Sequence, residues 1–236
     1  MRRIACVFLP LLLAHALLMQ CAVAAEMASN SETVAAAQML HKAAQYGSQI
    51  RTLRAEFVQE KRMSLLSRPL TSNGYFCLKR RDDATGSHGK HALGDSLLWG
   101  YTHPLASGFI FKNGQGALWD GSPDNCRPAD KEGRMLMTAV LQHMIDWVRL
   151  NPAMLQSSYH IICPDPNLPE LHLTPVRHSF FSKMEVLFSA DFSRVLRLTF
   201  VEPNGDSVRI SFKNIYINEP LPDHCNTYLL QDTVGD

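Results

Sequence analysis

Hydrophobic and polar residues alternate along most of this chain with the two-residue period of β-strands. Leu53, Ala55, Phe57 and Gln59 alternate with Arg54, Glu56, Val58 and Glu60. Further short runs are predicted as strands at residues 75–79, 96–101, 108–112, 117–120, 158–163, 170–174, 184–189, 195–202 and 207–218. Asn113-Gly114 lies between two of them and is a strong hairpin signal. Pro203-Asn204-Gly205-Asp206 is a second turn between two long β-branched runs. Two stretches have helical spacing instead. Over residues 30–47, Ser29 and Glu32 have the separation of a capping box, and Val34, Ala37, Met39, Leu40 and Ala44 form a stripe. Gly47 is the expected end of that helix. Over residues 131–149, Met135, Met137, Val140, Leu141, Met144 and Val148 repeat at helical spacing, and Pro152 reads as the stop. The Gly-, His- and Asp-rich stretch 81–95 reads as a mobile loop.

Many short strands without helices between them indicate a mainly β, α+β protein built on an antiparallel sheet, since a Rossmann-like sheet needs strand and helix to alternate. With two main helices to cover, the sheet is expected to curl around them. A helix on the concave face of a curled sheet leaves room for an apolar cavity.

The first 25 residues read as a secretory signal peptide. Arg2 and Arg3 precede an apolar run over residues 4–19, and Ala22-Val23-Ala24 supplies a small-x-small cleavage pattern. The expected cut follows Ala24 or Ala25 and leaves one domain over residues 26–236; the alternative is an uncleaved anchor. Cys21 raises a lipid-attachment reading, but Gln20 before it is not small, so the mature chain is read as soluble. Lys+Arg is 23 and Asp+Glu is 22, giving a net charge of +1. That balance offers no basic excess for a phosphate backbone, so nucleic acid is not an expected partner. Cys6 and Cys21 leave with the signal. Cys77, Cys126, Cys163 and Cys225 remain, which in an exported protein allows three disulfide pairings or none.

Chemistry-bearing motifs are sparse. Gly94-Asp95-Ser96-Leu97 matches the signature of GDSL esterases, in which the Ser is the nucleophile on a strand-to-helix turn. Those enzymes also need an Asp-x-x-His, and none is present. Ser96 therefore reads as the start of a strand, with a secreted esterase as the remote alternative. His88-Gly89-Lys90-His91 lacks any supporting carboxylate or Cys pattern, so no metal is expected, and the absence of a Gly-rich phosphate loop after a strand leaves no cofactor to expect. Ten Met residues, three of them at Met135, Met137 and Met144, offer soft apolar surface for a ligand of variable shape.

Several segments, in order, resemble the LolA family of periplasmic lipoprotein carriers. Ala55-Glu56-Phe57-Val58-Gln59-Glu60-Lys61 is similar to that family's opening Phe-x-Gln strand. Gly74 followed by Leu78-Lys79-Arg80 resembles its Gly-x-x-x-x-Lys-Arg-Pro strand, although Arg81 replaces the Pro and an insertion over about residues 82–95 follows. Trp99 with Pro104, the hairpin ending in Leu118-Trp119, and the strands through Ile215 and Asn218 continue the order, over roughly residues 30–222. The resemblance implies an incomplete β-barrel with a helical lid. It implies a monomeric carrier that is not an enzyme and binds acyl chains of lipoproteins. Such a carrier takes its cargo from an inner-membrane release complex and hands it to an outer-membrane receptor. Because relatives of this fold bind glycolipids, another amphiphile is the alternative cargo. The hydrophobic cavity is expected to be lined by Phe57, Leu97, Trp99, Tyr101, Phe109 and Phe111 from the strands and by Met137, Val140, Leu141 and Met144 from the lid. Arg80 is expected to hold the lid closed.

Overall fold

The structure is a computed structural model that describes residues 32–80, 95–112, 115–128 and 152–230. Helix α1 covers residues 32–49. Eleven strands follow: β1 (Thr52–Arg62), β2 (Leu70–Lys79), β3 (Ser96–His103), β4 (Ser107–Lys112), β5 (Gln115–Asp120), β6 (Arg127–Pro128), β7 (Tyr159–Ile162), β8 (Glu170–Pro175), β9 (Lys183–Phe188), β10 (Val195–Val201) and β11 (Ser207–Ile217). Helix α2 (Pro152–Ser158) precedes β7, and helix α3 (Asp223–Leu230) follows β11.

All the strands belong to one sheet of order β6-β5-β4-β3-β2-β1-β11-β10-β9-β8-β7. Every pairing is antiparallel, and β6 and β7 are the edges, so the sheet does not close. This is the mainly β, antiparallel architecture that the alternation predicts and the incomplete barrel that the family resemblance implies. The central pair, β1 with β11, runs from Leu53 opposite Ile217 to Arg62 opposite Ser207. Register slips lie between Arg54 and Glu56, between Asn73 and Gly74, and between Val195 and Arg197. Such bulges raise the local twist and help a sheet to curl.

One face of the sheet carries two adjoining apolar clusters. Met39, Leu40 and Ala43 of α1 pack against Leu171, Met184, Val186, Phe188 and Leu198. Phe57, Phe76, Leu78, Leu97, Trp99 and Phe111 form the second cluster, and Phe200 and Phe212 touch both. The opposite face is apolar only over β2 to β5, where Cys77, Leu98, Ile110 and Trp119 meet Leu221, Cys225 and Leu229. Helix α3 thus covers the outside of the half-barrel, and a Cys77–Cys225 disulfide ties it there across 148 residues of sequence. Cys126 and Cys163 are free.

Two sequence expectations need correction. Gly47 does not end α1, which runs on through residue 49 because Asn218 and Arg80 satisfy its last carbonyls. Pro152 opens α2, since a first-turn Pro has no backbone N–H to waste. Ser158 is consequently helical, and the strand predicted over 158–163 is confined to Tyr159–Ile162. The described residues also include α3, which the sequence reading did not predict; its Cys225 and Leu229, with Leu221 just before it, recur every four residues. The signal peptide, residues 81–94 of the expected loop, the Asn113-Gly114 turn and the 131–149 helix lie outside the described residues.

The aromatic cluster depends on one glycine. Gly74 sits opposite Phe57, and a Cβ there would overlap both the Phe57 ring and the Gly100 carbonyl. We predict that Gly74→Val lowers stability by about 1–3 kcal/mol through overpacking, read as a lower midpoint in chemical denaturation. A midpoint equal to the wild type would contradict the packing described.

Candidate functional site

The last turn of a helix leaves carbonyls without partners, and the negative end of the helix dipole gathers there. In this protein two side chains from distant strands meet that end of α1. Arg80, one residue beyond β2, donates from Nη1 to the carbonyls of Ile50 at 3.0 Å, Ser48 at 3.3 Å and Gly47 at 3.4 Å. Its own N–H donates to the Arg51 carbonyl at 2.8 Å. Asn218, one residue beyond β11, donates from Nδ2 to the Gln49 carbonyl at 2.9 Å. Its Oδ1 accepts from the N–H of Arg51 at 2.6 Å and of Thr52 at 3.3 Å. Asn218 has φ of 58°, a left-handed conformation that Asn tolerates better than most residues. Strands β2 and β11 flank β1, so the two side chains clasp the α1–β1 junction from either side.

Beside the clasp an apolar cavity of about 80 Å³ lies between α1 and the sheet. Ala43, Gly47 and Ile50 bound it on one side, and Leu53, Leu78, Leu97, Phe212 and Ile215 bound it on another. The remaining wall is the β9–β10 turn, Phe188 to Val195. Asp191 shapes that turn by accepting from Ser189 Oγ at 2.6 Å and from the Ser193 hydroxyl and N–H. Those donors, Ser189 first, hold its carboxyl down to about 2. Phe192 has φ of 63°, lines the cavity, and carries Lys42 Nζ 5.5 Å from its ring centroid. Ser193 and Arg194 are the polar lining residues, and Arg194 is exposed.

The structure distributes the sequence-predicted cavity residues unevenly. Leu97 lines the cavity. Phe57, Trp99, Tyr101, Phe109 and Phe111 belong to the same apolar cluster, and the first four form an aromatic stack beside the cavity. Phe57 stacks on Trp99 at 4.2 Å between centroids, Tyr101 meets Phe57 edge-on at 5.5 Å, and Phe109 lies parallel to Trp99 at 6.3 Å. The Tyr101 hydroxyl donates to Gln59 Oε1 at 3.0 Å, and burial pushes its pKa up. Met137, Val140, Leu141 and Met144 lie outside the described residues. Arg80 is at the cavity's edge and donates to carbonyls at the end of α1, so α1 is the element it is seen to hold. Sequence reasoning missed most of the lining, Ile50, Leu53, Leu78, Phe192, Arg194 and Ile215 among it, and Asn218's part in the clasp. The strand residues carried the same alternation signal as Leu97, Asn218 carried one as an Asn directly after a long strand, and the β9–β10 turn carried none.

Ser96 is not on a strand-to-helix turn. It opens β3, pairs with Lys79, and is 7% exposed beside buried Asp95. Two other clusters have metal-ligand composition among the described residues. Cys77, His224 and Cys225 converge, but both sulfurs are used in the disulfide. Glu170, His172 and Glu185 converge on the outer sheet face, where cations already serve them. Arg197 lies 3.2 Å from Glu170, and Lys183 lies 2.8 Å from Glu185. Burial opposes ionisation of Glu185, yet the Lys183 hydrogen bond and nearby positive charges leave its pKa lowered. These are ion-pair networks rather than open coordination sites.

No protein-family model matches the sequence, and no curated protein matches it significantly. Solved structures do resemble the fold. A LolA superfamily protein from Nitrosomonas europaea is similar over 80% of this chain and 95% of its own, at 12% identity and a TM-score of 0.39. The lipoprotein LppX of Mycobacterium tuberculosis is similar over 80% of this chain and 97% of its own, at 8% identity and a TM-score of 0.43. MucB, in a complex with MucA from Pseudomonas aeruginosa, is similar over 80% of this chain, at 14% identity and a TM-score of 0.43; the match spans 59% of that chain.

The clasp makes a prediction for α1. Hydrogen bonds from a charged donor contribute about 1.5–3 kcal/mol, so Arg80→Leu should speed hydrogen exchange over residues 32–49 by roughly tenfold or more while β10 and β11 stay protected. Lys79→Leu, on the neighbouring residue, should leave α1 unchanged. Equal α1 exchange in the Arg80 variant and the wild type would show that Arg80 does not hold the helix.

Proposed function

We propose that this chain is a carrier of acylated cargo, exported to the periplasm, that shelters acyl chains between α1 and the concave face of the half-barrel. The observation that carries this reading is the cavity itself: an almost wholly apolar space, closed by a helix whose end is held by two polar side chains. Each methylene buried is worth about 0.8 kcal/mol, so an acyl chain cannot cross water unprotected at low cost. Ordinary ligand pockets measure about 300–1,000 Å³, and the cavity here is about 80 Å³. The described arrangement is therefore a closed state, and cargo enters when α1 lifts. Arg80 and Asn218 bias the two-state equilibrium toward closure, and release couples to whatever competes for the end of α1. A headgroup would lie at the rim beside Ser193 and Arg194.

The resemblance to LolA carriers supports lipoproteins as the cargo. It also supports an inner-membrane release complex as donor and an outer-membrane receptor as acceptor, with the chain acting as a soluble monomer. The Cys77–Cys225 disulfide supports an oxidising compartment, as expected for an exported protein. In this reading the signal peptide is removed, residues 26–236 form the carrier domain, and Ser96 has no catalytic part.

Organic extraction and mass spectrometry of the protein purified from its native cells should recover acylated molecules, lipoprotein-derived or glycolipid. Ile215, half-buried on the cavity lining, gives the matching variant. Ile215→Glu should bind a neutral fluorescent acyl probe at least tenfold more weakly than wild type, with the thermal midpoint little changed. A clean extract together with unaltered probe binding would refute the carrier reading.

A further inference from the structure

The registers place five hairpin connections at one end of the sheet, the end away from the clasp; one is the β5–β6 connection (121–126). The other four are the β1–β2 loop (63–69), the β3–β4 loop (104–106), the β8–β9 loop (176–182) and the β10–β11 loop (202–206). In sheet order these four hairpin connections are neighbours. Three of them hold large apolar side chains in water: Leu65 is 91% exposed, Leu105 76% and Phe180 57%. Leu66, Leu70 and Val176 extend the set. More than half of the exposed large apolar residues among the described ones thus collect at this end. Singly exposed leucines are ordinary, but apolar tips gathered on adjacent loops are not.

Cations without ion-pair partners sit among the apolar tips. Arg62 and Arg68 flank Leu65 and Leu66, and Arg177 with His178 lies between Val176 and Phe180. His103 lies beside the loop that carries Leu105. Among the described residues, neither Arg62, Arg68 nor Arg177 has an ion-pair partner. The acids nearby are engaged: Asp120 pairs with Arg127 at 3.1 Å, Asp124 accepts from the Tyr228 hydroxyl at 2.9 Å, Glu202 pairs with Lys61 at 4.0 Å, and Asp206 accepts from the Ser64 N–H at 2.8 Å. That last bond also ties the β1–β2 loop to the β10–β11 loop, so the tips are not independent.

Exposed apolar tips ringed by unpaired arginines fit a bilayer surface that carries anionic headgroups. The leucines and Phe180 would enter the acyl boundary, and the guanidinium groups would remain among the phosphates. We infer that this end of the half-barrel docks on anionic lipid bilayers through Leu65, Leu105 and Phe180, with Arg62, Arg68 and Arg177 supplying the attraction. The inference concerns a surface at the opposite end from the cavity, and it stands or falls separately from the cargo.

The test uses the full chain with Cys6→Ser, Cys21→Ser and Cys126→Ser, which leaves the buried Cys163 and the disulfide in place. Leu65→Cys, Leu105→Cys or Phe180→Cys, introduced singly, carries an environment-sensitive nitrobenzoxadiazole label; Leu168→Cys, at the clasp end, is the control. With vesicles of equal parts phosphatidylcholine and phosphatidylglycerol, the labels at 65, 105 and 180 should brighten several-fold and shift to the blue. The label at 168 should not change, and phosphatidylcholine alone should give little response. Because the readout is local, binding through the N-terminal apolar segment does not imitate it. Replacing Arg62, Arg68 and Arg177 by Gln should weaken vesicle affinity about fivefold per arginine. An equal response at 168 would overturn the inference, as would indifference to the arginines. A response that rises with protein concentration without vesicles would also overturn it, and would assign the end to a second copy of the chain.

Discussion

An open sheet with an apolar concave face is stable only if something covers that face, and the cover here is held by its unpaired carbonyls. Helix α1 ends over β1, where its last carbonyls would otherwise be left without partners. Arg80 and Asn218 arrive from the strands on either side of β1 and take those carbonyls. The bond set fixes where α1 stops, where β1 starts, and how far the helix can lean over the sheet. Met39, Leu40 and Ala43 then find Leu171, Met184 and Phe188 beneath them. The cavity is what remains between a helix pinned at its end and a sheet too curved to follow it. Polar bonds of this kind can break together and re-form together, whereas a cover held only by packed side chains would have no single point of release.

The two faces of the sheet are held differently. The inner face relies on α1 and the clasp. The outer face relies on α3, pressed over Leu98, Ile110 and Trp119 and tied by a disulfide that joins β2 to the end of the chain. Strand β2 thus carries both attachments, the disulfide at Cys77 and the clasp just past its end at Arg80. A covalent anchor on one side and a reversible one on the other allow the inner cover to move while the sheet keeps its form.

Much of the sheet was legible in the sequence because a half-buried strand must alternate. Phe57, Leu97, Trp99 and Phe111 announce the inner face by that rule, and the structure places all four in one cluster. Alternation fixes a face but not a position along it, so it could not separate Leu97, which lines the cavity, from Phe57 and Trp99, which stack beside it. The β9–β10 wall was not legible either. Its shape comes from Asp191 bonding Ser189 and Ser193 and from the left-handed Phe192, none of which follows a period. Helix α2 was not legible because a Pro after a helical stretch reads as a stop, while the same ring can also begin a helix. Helix α3 did leave a trace, the four-residue spacing of Leu221, Cys225 and Leu229, but it is short and its partners lie on strands far away in the chain.

The central claim is that the space under α1 admits an acyl chain, and photocrosslinking tests it most directly. A neutral acyl ester with a diazirine at the chain terminus, irradiated on the protein and mapped by peptide mass spectrometry, reports where the chain end lies. The account predicts adducts on residues 192–198 and 212–217 and on α1, with fewer in the Arg80→Leu variant if closure retains the chain. Adducts confined to the outer face beneath α3, or no adducts at all, would contradict it.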